Sequence, residues 1–461
     1  MFIGREKELG ILNSLYKESG FQYLVMYGRR RIGKTELLKE FSKDKKVIFY
    51  SAIEDKNNLD YFSDEVLSYF EETSKIRFEN WNEIFNYIYE HSKDDSRTLI
   101  IIDEFPYIAK YEPNVKSFLQ HAIDRKWKEK SIMLVLCGSS VSFMTNGVMG
   151  KKSPLYGRNT CVMEVLPFDY TITRYFYPNY SCEDRIRAYS ILGGVPYYLS
   201  IFKDSKSIEE NISDYIISSN AALREEAITL LKSELREPAT YNSILEAIAS
   251  GNNKLTEISE KTKIDSTKLP VYLNTLLEMR LVEKIKCCGE KKSTKKTQYV
   301  IKDNFFSFWY KFVFSKQTKI ELMNSDDYSR EISNELSTYT GYKFERICYQ
   351  YIVNTAKKGN LPFIPDDLGK WWGTNSLTKE QDDIDILGIE KDKYIFCECK
   401  FKNEIFDLKD FNKLLTSSKL FKNAREKYYY IFVKRDATDS VKEKAREYNC
   451  TIINVDELFL N

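Results

Sequence analysis

A short stretch near the start of the chain, residues 22–36, narrows the possible folds more than any other. The apolar run Gln22–Tyr27 leads directly into residues 28–35, whose sequence GRRRIGKT matches the pattern GxxxxGK[ST]. Helical periodicity begins at Glu36. A strand, a glycine-containing loop and a helix in this order predict the first unit of a parallel sheet, because parallel strands need a crossover that usually contains a helix.

The residue types of this loop suit the binding of a triphosphate. Its glycines let the backbone turn N–H groups towards phosphate oxygens, and the helix N-terminus adds a favourable dipole. Lys34 is expected to neutralise the β- and γ-phosphates, and the Thr35 hydroxyl to bind Mg²⁺. We therefore predict ATP and Mg²⁺ as cofactors. The predicted binding set is Gly28, Arg29, Arg30, Arg31, Ile32, Gly33, Lys34, Thr35 and Glu36.

An acidic motif follows at a suitable distance. The apolar run at 98–102 ends in Asp103 and Glu104, as a buried strand with two carboxylates at its end would. Asp103 is expected to hold Mg²⁺ through water, and Glu104 to polarise the attacking water. A chance glycine turn is the alternative for the first motif, and the presence of the second argues against it.

Two further positions are candidates for contact with the γ-phosphate. Ser139 or Ser140, after the apolar run at 132–136, is placed to sense that phosphate; a serine that caps a helix is the alternative. Arg158 has the chemistry of an arginine finger, although an ordinary surface arginine explains it as well.

The remainder of the first 175 residues repeats the strand and helix alternation. Apolar runs at 46–51, 98–102, 132–136 and 161–166 read as further strands, each next to a segment with helical period. This pattern predicts an α/β fold with a P-loop doubly wound parallel sheet. From about 180 to 236 the period is helical, with a break at residues 193–196.

Composition excludes several classes of protein. The chain has 461 residues, 43% hydrophobic and 30% charged, with a formal net charge of +2, so that any nucleic-acid surface must be a local patch. It contains no apolar run of about 18 residues, and we expect no membrane span. Nine cysteines without a CxxC pair and two histidines argue against a zinc site and a disulfide framework. A charged start without an apolar signal core predicts a reducing, cytoplasmic location.

Residues 237–312 have the pattern of a winged helix. Helical periods at 241–248, 255–263 and 266–279 precede strands at 281–286 and 297–301. Lysines crowd the hairpin and would contact phosphates; they are Lys284, Lys286, Lys291, Lys292, Lys295 and Lys296. The third helix offers Lys268, Tyr272 and Asn274 for groove contacts. The alternative is a structural part of the ATPase lid.

The tail combines carboxylates and a lysine on predicted strands. Side chains alternate along a strand, so Glu398 and Lys400 share one face, and Asp385 on a neighbouring strand can approach them. Two carboxylates with a lysine can hold Mg²⁺ and activate water. Cys397 and Cys399 then point to the opposite face and are expected in the core. Charged residues alternating on a solvated edge strand are the alternative.

Several segments resemble the archaeal-type ATPase family of the AAA+/STAND group. They are residues 2–6 (FIGRE), 28–35 (GRRRIGKT), 102–107 (IDEFPY), 193–197 (GGVPY) and 301–310 (IKDNFFSFWY). The resemblance covers almost the whole chain. It implies that Gly4, Arg5 and Pro196 lie beside the nucleotide base, whereas the lid has no clear sensor-2 arginine.

The tail resembles the restriction-endonuclease-like domain in which members of that family commonly end. Asp385 and the Glu398/Lys400 pair have the spacing D-x₁₂-ExK of PD-(D/E)xK nucleases. In that resemblance Glu345 corresponds to the additional metal-supporting glutamate. The segment Trp371-Trp372-Gly373 also resembles the family.

These observations give one functional hypothesis and one rival. The first is an Mg²⁺-dependent ATPase switch that controls a metal-dependent DNA nuclease, with DNA favoured over RNA and a homo-oligomer possible. The rival is an ATP-dependent regulator whose nuclease-like end only binds. The predicted domains are an ATPase core at 1–175, a helical lid at 176–236, a winged helix at 237–312, a linker at 313–335 and an α/β nuclease-like domain at 336–461.

Overall fold

The chain folds into two compact units. The structure, a computed structural model, describes residues 2–74, 76–93, 95–290, 297–376 and 379–460. The first unit is Met1–Pro167 and the second is Phe168–Asn461. The domain boundary predicted at residue 175 falls a short way inside the second unit.

A five-stranded parallel sheet forms the centre of the first unit, as the sequence predicted. Its strands are β1 (Gln22–Tyr27), β2 (Val47–Ser51), β3 (Thr98–Asp103), β4 (Ile132–Gly138) and β5 (Cys161–Glu164). Their order across the sheet is β2-β3-β4-β1-β5. Strands β3 and β4 are buried along their whole length, as expected for parallel strands covered on both faces. Strand β4 thus lies between the strand before the glycine loop and the strand that ends in Asp103.

Among the residues described in this unit, six segments are α-helical. They are α1 (Glu6–Lys17), α2 (Lys34–Ser42), α3 (Asn58–Tyr69), α4 (Trp81–His91), α5 (Phe105–Tyr111) and α6 (Val115–Arg125). Aromatic side chains of α3 and α4 pack on one another beside the sheet, with the Phe62 and Trp81 rings stacked at 5.3 Å. Trp81, Phe85 and Trp127 are almost fully buried, so this part of the core holds much of the unit's apolar area.

The second unit begins with short helices. They are α7 (Thr173–Phe176), α8 (Cys182–Leu192), α9 (Pro196–Ile201), α10 (Ile208–Ile212) and α11 (Glu226–Glu234). The break between α8 and α9 depends on Gly194, because a Cβ there would lie 1.8 Å from the Phe168 carbonyl oxygen. Pro196 starts α9, where its missing N–H costs no hydrogen bond.

Three helices and a hairpin follow in the predicted order. They are α12 (Pro238–Ala249), α13 (Leu255–Thr262), α14 (Leu269–Glu278), β6 (Val282–Lys286) and β7 (Thr297–Ile301). The two strands pair antiparallel. Lys284 and Lys286 are exposed on the same side of β6. The tip lysines Lys291, Lys292, Lys295 and Lys296 lie outside the described residues.

The segment predicted as a linker at 313–335 is largely helical. After α15 (Asn304–Phe312) come α16 (Gln317–Leu322) and α17 (Ser325–Lys357). The Asn324 side chain caps α17 by accepting a hydrogen bond from the Asp326 N–H. Tyr328 and Ile332 are buried along its first turns. Burial of this face extends the helix into the region where the sequence lacks a strong apolar period.

A mixed five-stranded sheet closes the second unit. Its strands are β8 (Asp367–Thr374), β9 (Gln381–Glu390), β10 (Lys393–Lys400), β11 (Glu426–Val433) and β12 (Cys450–Asn454), in the order β12-β11-β10-β9-β8. Strands β8, β9 and β10 pair antiparallel, and β10, β11 and β12 pair parallel. Helix α17 packs on one face, and α18 (Leu408–Ser418) and α19 (Asp439–Glu447) pack on the other.

Within the described residues, no helix has both the length and the apolar character that a membrane crossing requires.

Candidate functional site

The glycine loop folds as a phosphate-binding loop between β1 and α2. Helix α2 begins at Lys34, and Gly33 caps it in the left-handed region with φ 87°. Gly28 approaches the neighbouring strand so closely that a Cβ would lie 2.5 Å from the Val165 carbonyl oxygen. Both glycines are therefore required by backbone geometry.

Lys34 and Thr35 both form hydrogen bonds within the site. The Lys34 ammonium is buried and donates hydrogen bonds to the carbonyl oxygens of Gly28 at 2.8 Å and Arg29 at 3.2 Å. The Thr35 hydroxyl donates to the Asp103 carboxylate, with 2.5 Å between Oγ1 and Oδ2. The structure thus brings together the two predicted magnesium ligands of this site, which lie 68 residues apart in sequence.

Glu104 is held by Ser139. The Ser139 hydroxyl and backbone N–H donate to the same Glu104 oxygen at 2.8 Å and 3.1 Å. Glu104 has a left-handed backbone, φ 50° and ψ 41°, which is uncommon for a residue with a side chain and typical of functional positions. The Ser139 side chain therefore contacts the predicted water-polarising carboxylate and does not cap a helix.

Other predicted loop residues have defined contacts. Arg5 is buried and donates to the Ile32 carbonyl oxygen at 3.2 Å and to Glu8 at 2.9 Å, and burial lowers its pKa. Arg30 donates to the Tyr107 hydroxyl at 2.8 Å. Arg5 thereby braces the phosphate-binding loop from the start of the chain.

Two predicted positions, Glu36 and Arg158, form ion pairs with residues other than Asp103 and Glu104. Glu36 is exposed and pairs with Lys39 one turn along α2 at 3.1 Å. Arg158 forms a two-pronged ion pair with Asp124 at the end of α6, with distances of 3.1 Å from Nε and 2.6 Å from its terminal nitrogen. Its role as an arginine finger stays a prediction, as does the contact of Pro196, in the second unit, with the base.

A second group of charged residues lies on the C-terminal sheet. On β10, Glu398 and Lys400 point to one face, and Cys397 and Cys399 lie in the core with α17, as strand alternation predicted. The Lys400 ammonium pairs with the Glu398 carboxylate at 2.6 Å. Glu398 is only 6% exposed, which argues against the alternative of a solvated edge strand.

An irregularity in β9 sets the position of Asp385. The register with β8 shifts between Gly369 and Trp371, so that Lys370 lies opposite two residues of β9, Asp385 and Ile386. An extra residue of this kind is a β-bulge, which bends a strand and redirects a side chain. Sequence alternation contained no signal of it.

The bulge brings Asp385 to the edge of β10. Pairing between β9 and β10 ends at Ile386 and Cys397, and beyond that point the Asp385 side chain accepts the Cys399 backbone N–H at 2.8 Å. The carboxylate thus replaces a backbone carbonyl as the partner of that N–H.

Lys370, which the sequence did not single out, lies among the acidic residues. Its ammonium is 2.8 Å from Glu345, 3.3 Å from Asp383 and 3.7 Å from Asp385. Asp383 was not selected either, because three aspartates fall within four positions of one strand and alternation alone does not rank them. We call Glu345, Asp383, Asp385 and Glu398 the carboxylate cluster.

Burial determines the electrostatics of the carboxylate cluster. Burial, helped by the charge of Asp385, raises the pKa of Glu345 to about 7 and that of Glu398 to about 7. Burial also raises the pKa of Asp385. For Lys370, burial favours a lower pKa, but Glu345 and Asp385 outweigh it and raise the pKa above its ordinary value.

The carboxylate cluster does not present a ready-made metal site. Among the described residues, no three histidine, cysteine, aspartate or glutamate side chains are arranged to hold a metal ion. Metal binding by Asp385, Glu398 and Glu345 therefore stays a prediction. Trp371 does not cause the absence of a ready-made site, because its ring packs against Phe421 in the apolar core with α18. Lys370 pairs with Glu345 and Asp385, and Lys400 pairs with Glu398.

Comparison with known proteins identifies the family. Residues 2–202 match a family described as an ATPase domain predominantly from Archaea, and residues 309–414 match one described as archaeal and bacterial proteins of unknown function. An uncharacterized protein of Methanocaldococcus jannaschii is 35% identical over 442 residues, which are 94% of this chain and 96% of that protein. The chain belongs to this archaeal-type ATPase family. An uncharacterized ATP-binding protein of the same organism is 43% identical over 47 residues, 10% of this ATPase and 80% of that protein.

One solved structure supports the fold of the archaeal-type ATPase. The Walker-type ATPase PABY2304 of Pyrococcus abyssi is similar, with TM-score 0.50 and 19% identity over 67% of this chain and 96% of that chain. The ORC2 protein of Aeropyrum pernix, in ADPNP–ADP complexes, has TM-score 0.44 and 14% identity over 69% of this chain and 93% of that chain. The protein is a P-loop ATPase, as the two sequence motifs predicted.

Proposed function

We propose that this P-loop ATPase is a Mg²⁺-dependent switch whose nucleotide state controls a nuclease-like C-terminal domain that acts on DNA. The Thr35–Asp103 hydrogen bond supports the magnesium assignment, because both oxygens already point to one place between the loop and β3. Glu104, held by Ser139, is the residue to orient and polarise the attacking water. Lys34 is the residue to neutralise the phosphates.

The proposal for the C-terminal domain rests on one observation. A bulge in β9 brings Asp385 beside the strand that carries Glu398 and Lys400 on a single face. Carboxylates from two strands and a lysine are the groups that metal-dependent phosphodiester cleavage uses. Glu345 reaches the same place from α17 through Lys370. As the cluster stands it does not fit a metal, so we assign no step of cleavage to one.

The three helices and hairpin at 237–312 support a winged-helix assignment with two uses. Lys284 and Lys286 form an exposed basic strip that suits phosphate contact. Two contacts favour a structural role instead: Tyr272 in α14 donates to Glu237 at 3.0 Å, and Tyr310 in α15 hydrogen-bonds Asn242 in α12. We propose that residues 237–312 join the preceding helices to the C-terminal sheet. On DNA they would contact only the phosphates of the DNA backbone.

A regulator that binds without cleaving is the second candidate, favoured by the position of Lys370 among three carboxylates. Plasmid cleavage with Mg²⁺ or Mn²⁺, with and without ATP, separates the two. The nuclease proposal expects Asp385→Ala and Lys400→Ala each to lose cleavage while ATP binding persists. Lys393→Ala, at the far end of β10, is the matched control and should cleave normally. Cleavage that survives both changes would contradict the assignment.

A further inference from the structure

A polar cavity of about 500 Å³ lies inside the second unit, where the segment at 169–174 meets the end of α17 and the strands β11 and β12. Among the described residues that line it, three are basic and one is acidic: Arg174, Lys357, Lys358 and Asp169. Sites for small molecules commonly have volumes of roughly 300–1,000 Å³. The cavity is therefore large enough for a small ligand, and its walls carry an excess of positive charge.

The carboxylate of Asp169 is already engaged by neutral donors of the protein. One oxygen accepts hydrogen bonds from the backbone N–H and the hydroxyl of Thr171, and the other accepts from the Asn354 side-chain amide at 2.8 Å. Among the residues that the structure describes, none of the three basic side chains of the cavity forms an ion pair. Their charge is thus only partly offset by Asp169.

Arg174 has a buried hydrogen-bond donor that the protein does not use. Its Nε is shielded from solvent and has no hydrogen-bond partner, although the guanidinium carbon lies 4.8 Å from the centre of the exposed Tyr175 ring. Most buried donors in proteins are paired, and an unpaired one is unfavourable. An acceptor on a ligand would satisfy this donor, and guanidinium groups pair well with phosphate oxygens.

The two lysines alone would not indicate a ligand. Lys357 and Lys358 are exposed at the C-terminal end of α17, where a lysine also stabilises the helix dipole. Arg174 lies on α7, a separate element, so stabilisation of α17 does not explain its place in the same cavity. The unpaired donor of Arg174, together with the two lysines, is what indicates an anion.

We propose that this cavity binds a small phosphorylated molecule, whose phosphate groups pair with Arg174, Lys357 and Lys358. Tyr351 from α17 and Tyr430 from β11 also line the cavity and offer ring surface to the rest of the ligand. The proposal does not depend on the proposed nuclease function.

The cavity is separate from the carboxylate cluster. Tyr430 packs in the core with α17 that also contains Cys397 and Cys399, whereas Glu398 points to the other face of the sheet. Along α17, Asn354 comes nine residues after Glu345, which is a rise of about 14 Å. A small ligand in the cavity therefore does not occupy the carboxylate cluster.

A ligand in the cavity would join segments that are distant in sequence. Asp169 and Arg174 fall within residues 2–202, which match the ATPase family, and Lys357 falls within residues 309–414, which match the second family. Because such a ligand binds the folded arrangement and not the unfolded chain, it should stabilise the second unit.

Inorganic pyrophosphate, in the absence of metal ions, is the probe that tests the proposal. Its binding to the full chain is measured by isothermal titration calorimetry in a Lys34→Ala background, to weaken the nucleotide site. We expect one pyrophosphate to bind per chain, with an affinity that falls roughly tenfold or more in Arg174→Ala. Arg425→Ala, which removes an exposed arginine of the same unit, is the matched control and should leave the affinity unchanged.

A second variant keeps the test decisive if Arg174→Ala folds poorly. The double variant Lys357→Ala, Lys358→Ala changes only exposed positions, and its pyrophosphate affinity should also fall roughly tenfold or more. Pyrophosphate should raise the melting temperature of the parent by several degrees, and the rise should be lost in both cavity variants.

Two results would overturn the proposal at once: no saturable binding of pyrophosphate, or binding that both cavity variants retain in full. A short DNA duplex serves as competitor, to separate a small phosphorylated molecule from the phosphates of DNA. If the duplex displaces pyrophosphate at equal phosphate concentration, and Arg174→Ala abolishes its binding, the cavity contacts the DNA backbone and the assignment to a small molecule is wrong. Failure of the duplex to compete supports the assignment.

Discussion

The nucleotide site and the carboxylate cluster contain the same kinds of side chain in opposite arrangements. At the nucleotide site the Lys34 ammonium donates to backbone carbonyls, and the acidic side chains accept from hydroxyls, Asp103 from Thr35 and Glu104 from Ser139. At the carboxylate cluster the lysines pair directly with the acids, Lys370 with three of them and Lys400 with Glu398.

This difference determines what each site needs in order to bind a ligand. Neutral dipoles hold a charged group through a hydrogen bond worth about 1.5–3 kcal/mol, which a phosphate or a magnesium ion can replace without leaving an opposite charge uncompensated. An ion pair between partly buried groups is harder to open, because removing one partner leaves the other charge uncompensated. The nucleotide site is prepared for its ligand, and the carboxylate cluster is neutralised by the protein itself.

The largest effect is expected for Lys34→Ala. The variant removes the cation that is proposed to pair with the phosphates of ATP. Truncating one partner of a buried charge pair costs about 4 kcal/mol, so Mg-ATP affinity should fall roughly 1,000-fold. Isothermal titration calorimetry measures this, with Lys43→Ala, at the exposed end of α2, as the control. Equal affinity in the Lys34 variant and the wild type would contradict the assignment of Lys34 to phosphate binding. The contrast between the nucleotide site and the carboxylate cluster would then fail as well.

A smaller loss is expected for Glu104→Gln, and it concerns turnover only. Asp103, the proposed magnesium ligand, is unchanged in this variant, so ATP binding should persist. Loss of the carboxylate proposed to polarise water should slow hydrolysis on the order of 100-fold. A phosphate-release assay under saturating ATP checks this, and Glu129→Gln serves as the exposed control. Unchanged turnover would mean that another group activates water.

Ser139→Ala tests whether a neutral hydrogen-bond donor, the Ser139 hydroxyl, positions the acidic side chain of Glu104. It removes one of the two hydrogen bonds that hold Glu104, worth about 1.5 kcal/mol, and should lower kcat roughly tenfold with little change in KM. Ser140→Ala is the matched control, since Ser140 was the other sequence candidate. If Ser140→Ala has the larger effect, the sensing role belongs to that serine.

The smallest effect concerns pH and the carboxylate cluster. Burial raises the pKa of Glu398 to about 7, while a free glutamate titrates near 4.3. The folded state therefore binds more protons than the unfolded state between these values, and unfolding free energy falls as pH rises from about 4.5 to about 7.

The melting temperature of the wild type should fall between pH 5 and pH 8, and in Glu398→Gln this fall should be about 3 °C smaller. Melting in EDTA monitors it without interference from metals. A slope unchanged by the substitution would show that Glu398 does not titrate in this range.

Local sequence determined most of the first unit. The glycine loop, the apolar runs and Asp103 at the end of its strand predicted the parallel sheet and brought Lys34, Thr35, Asp103 and Glu104 into one site. The reason is physical: a phosphate-binding loop is one continuous segment, and parallel strands bring their carboxyl ends to the same edge. Strand alternation likewise predicted the shared face of Glu398 and Lys400 and the buried cysteines.

Only the tertiary structure decided the rest. The position of Asp385 depends on a bulge between β8 and β9. The ion pair of Lys370 with Glu345 depends on the approach of α17 to that bulge. Helix α17 starts at Ser325, inside the predicted linker, because packing buries its first turns. Contacts of this kind join residues far apart in the chain, and no local period records them. Sequence therefore predicted which groups carry charge, whereas the fold decided which charges neutralise one another.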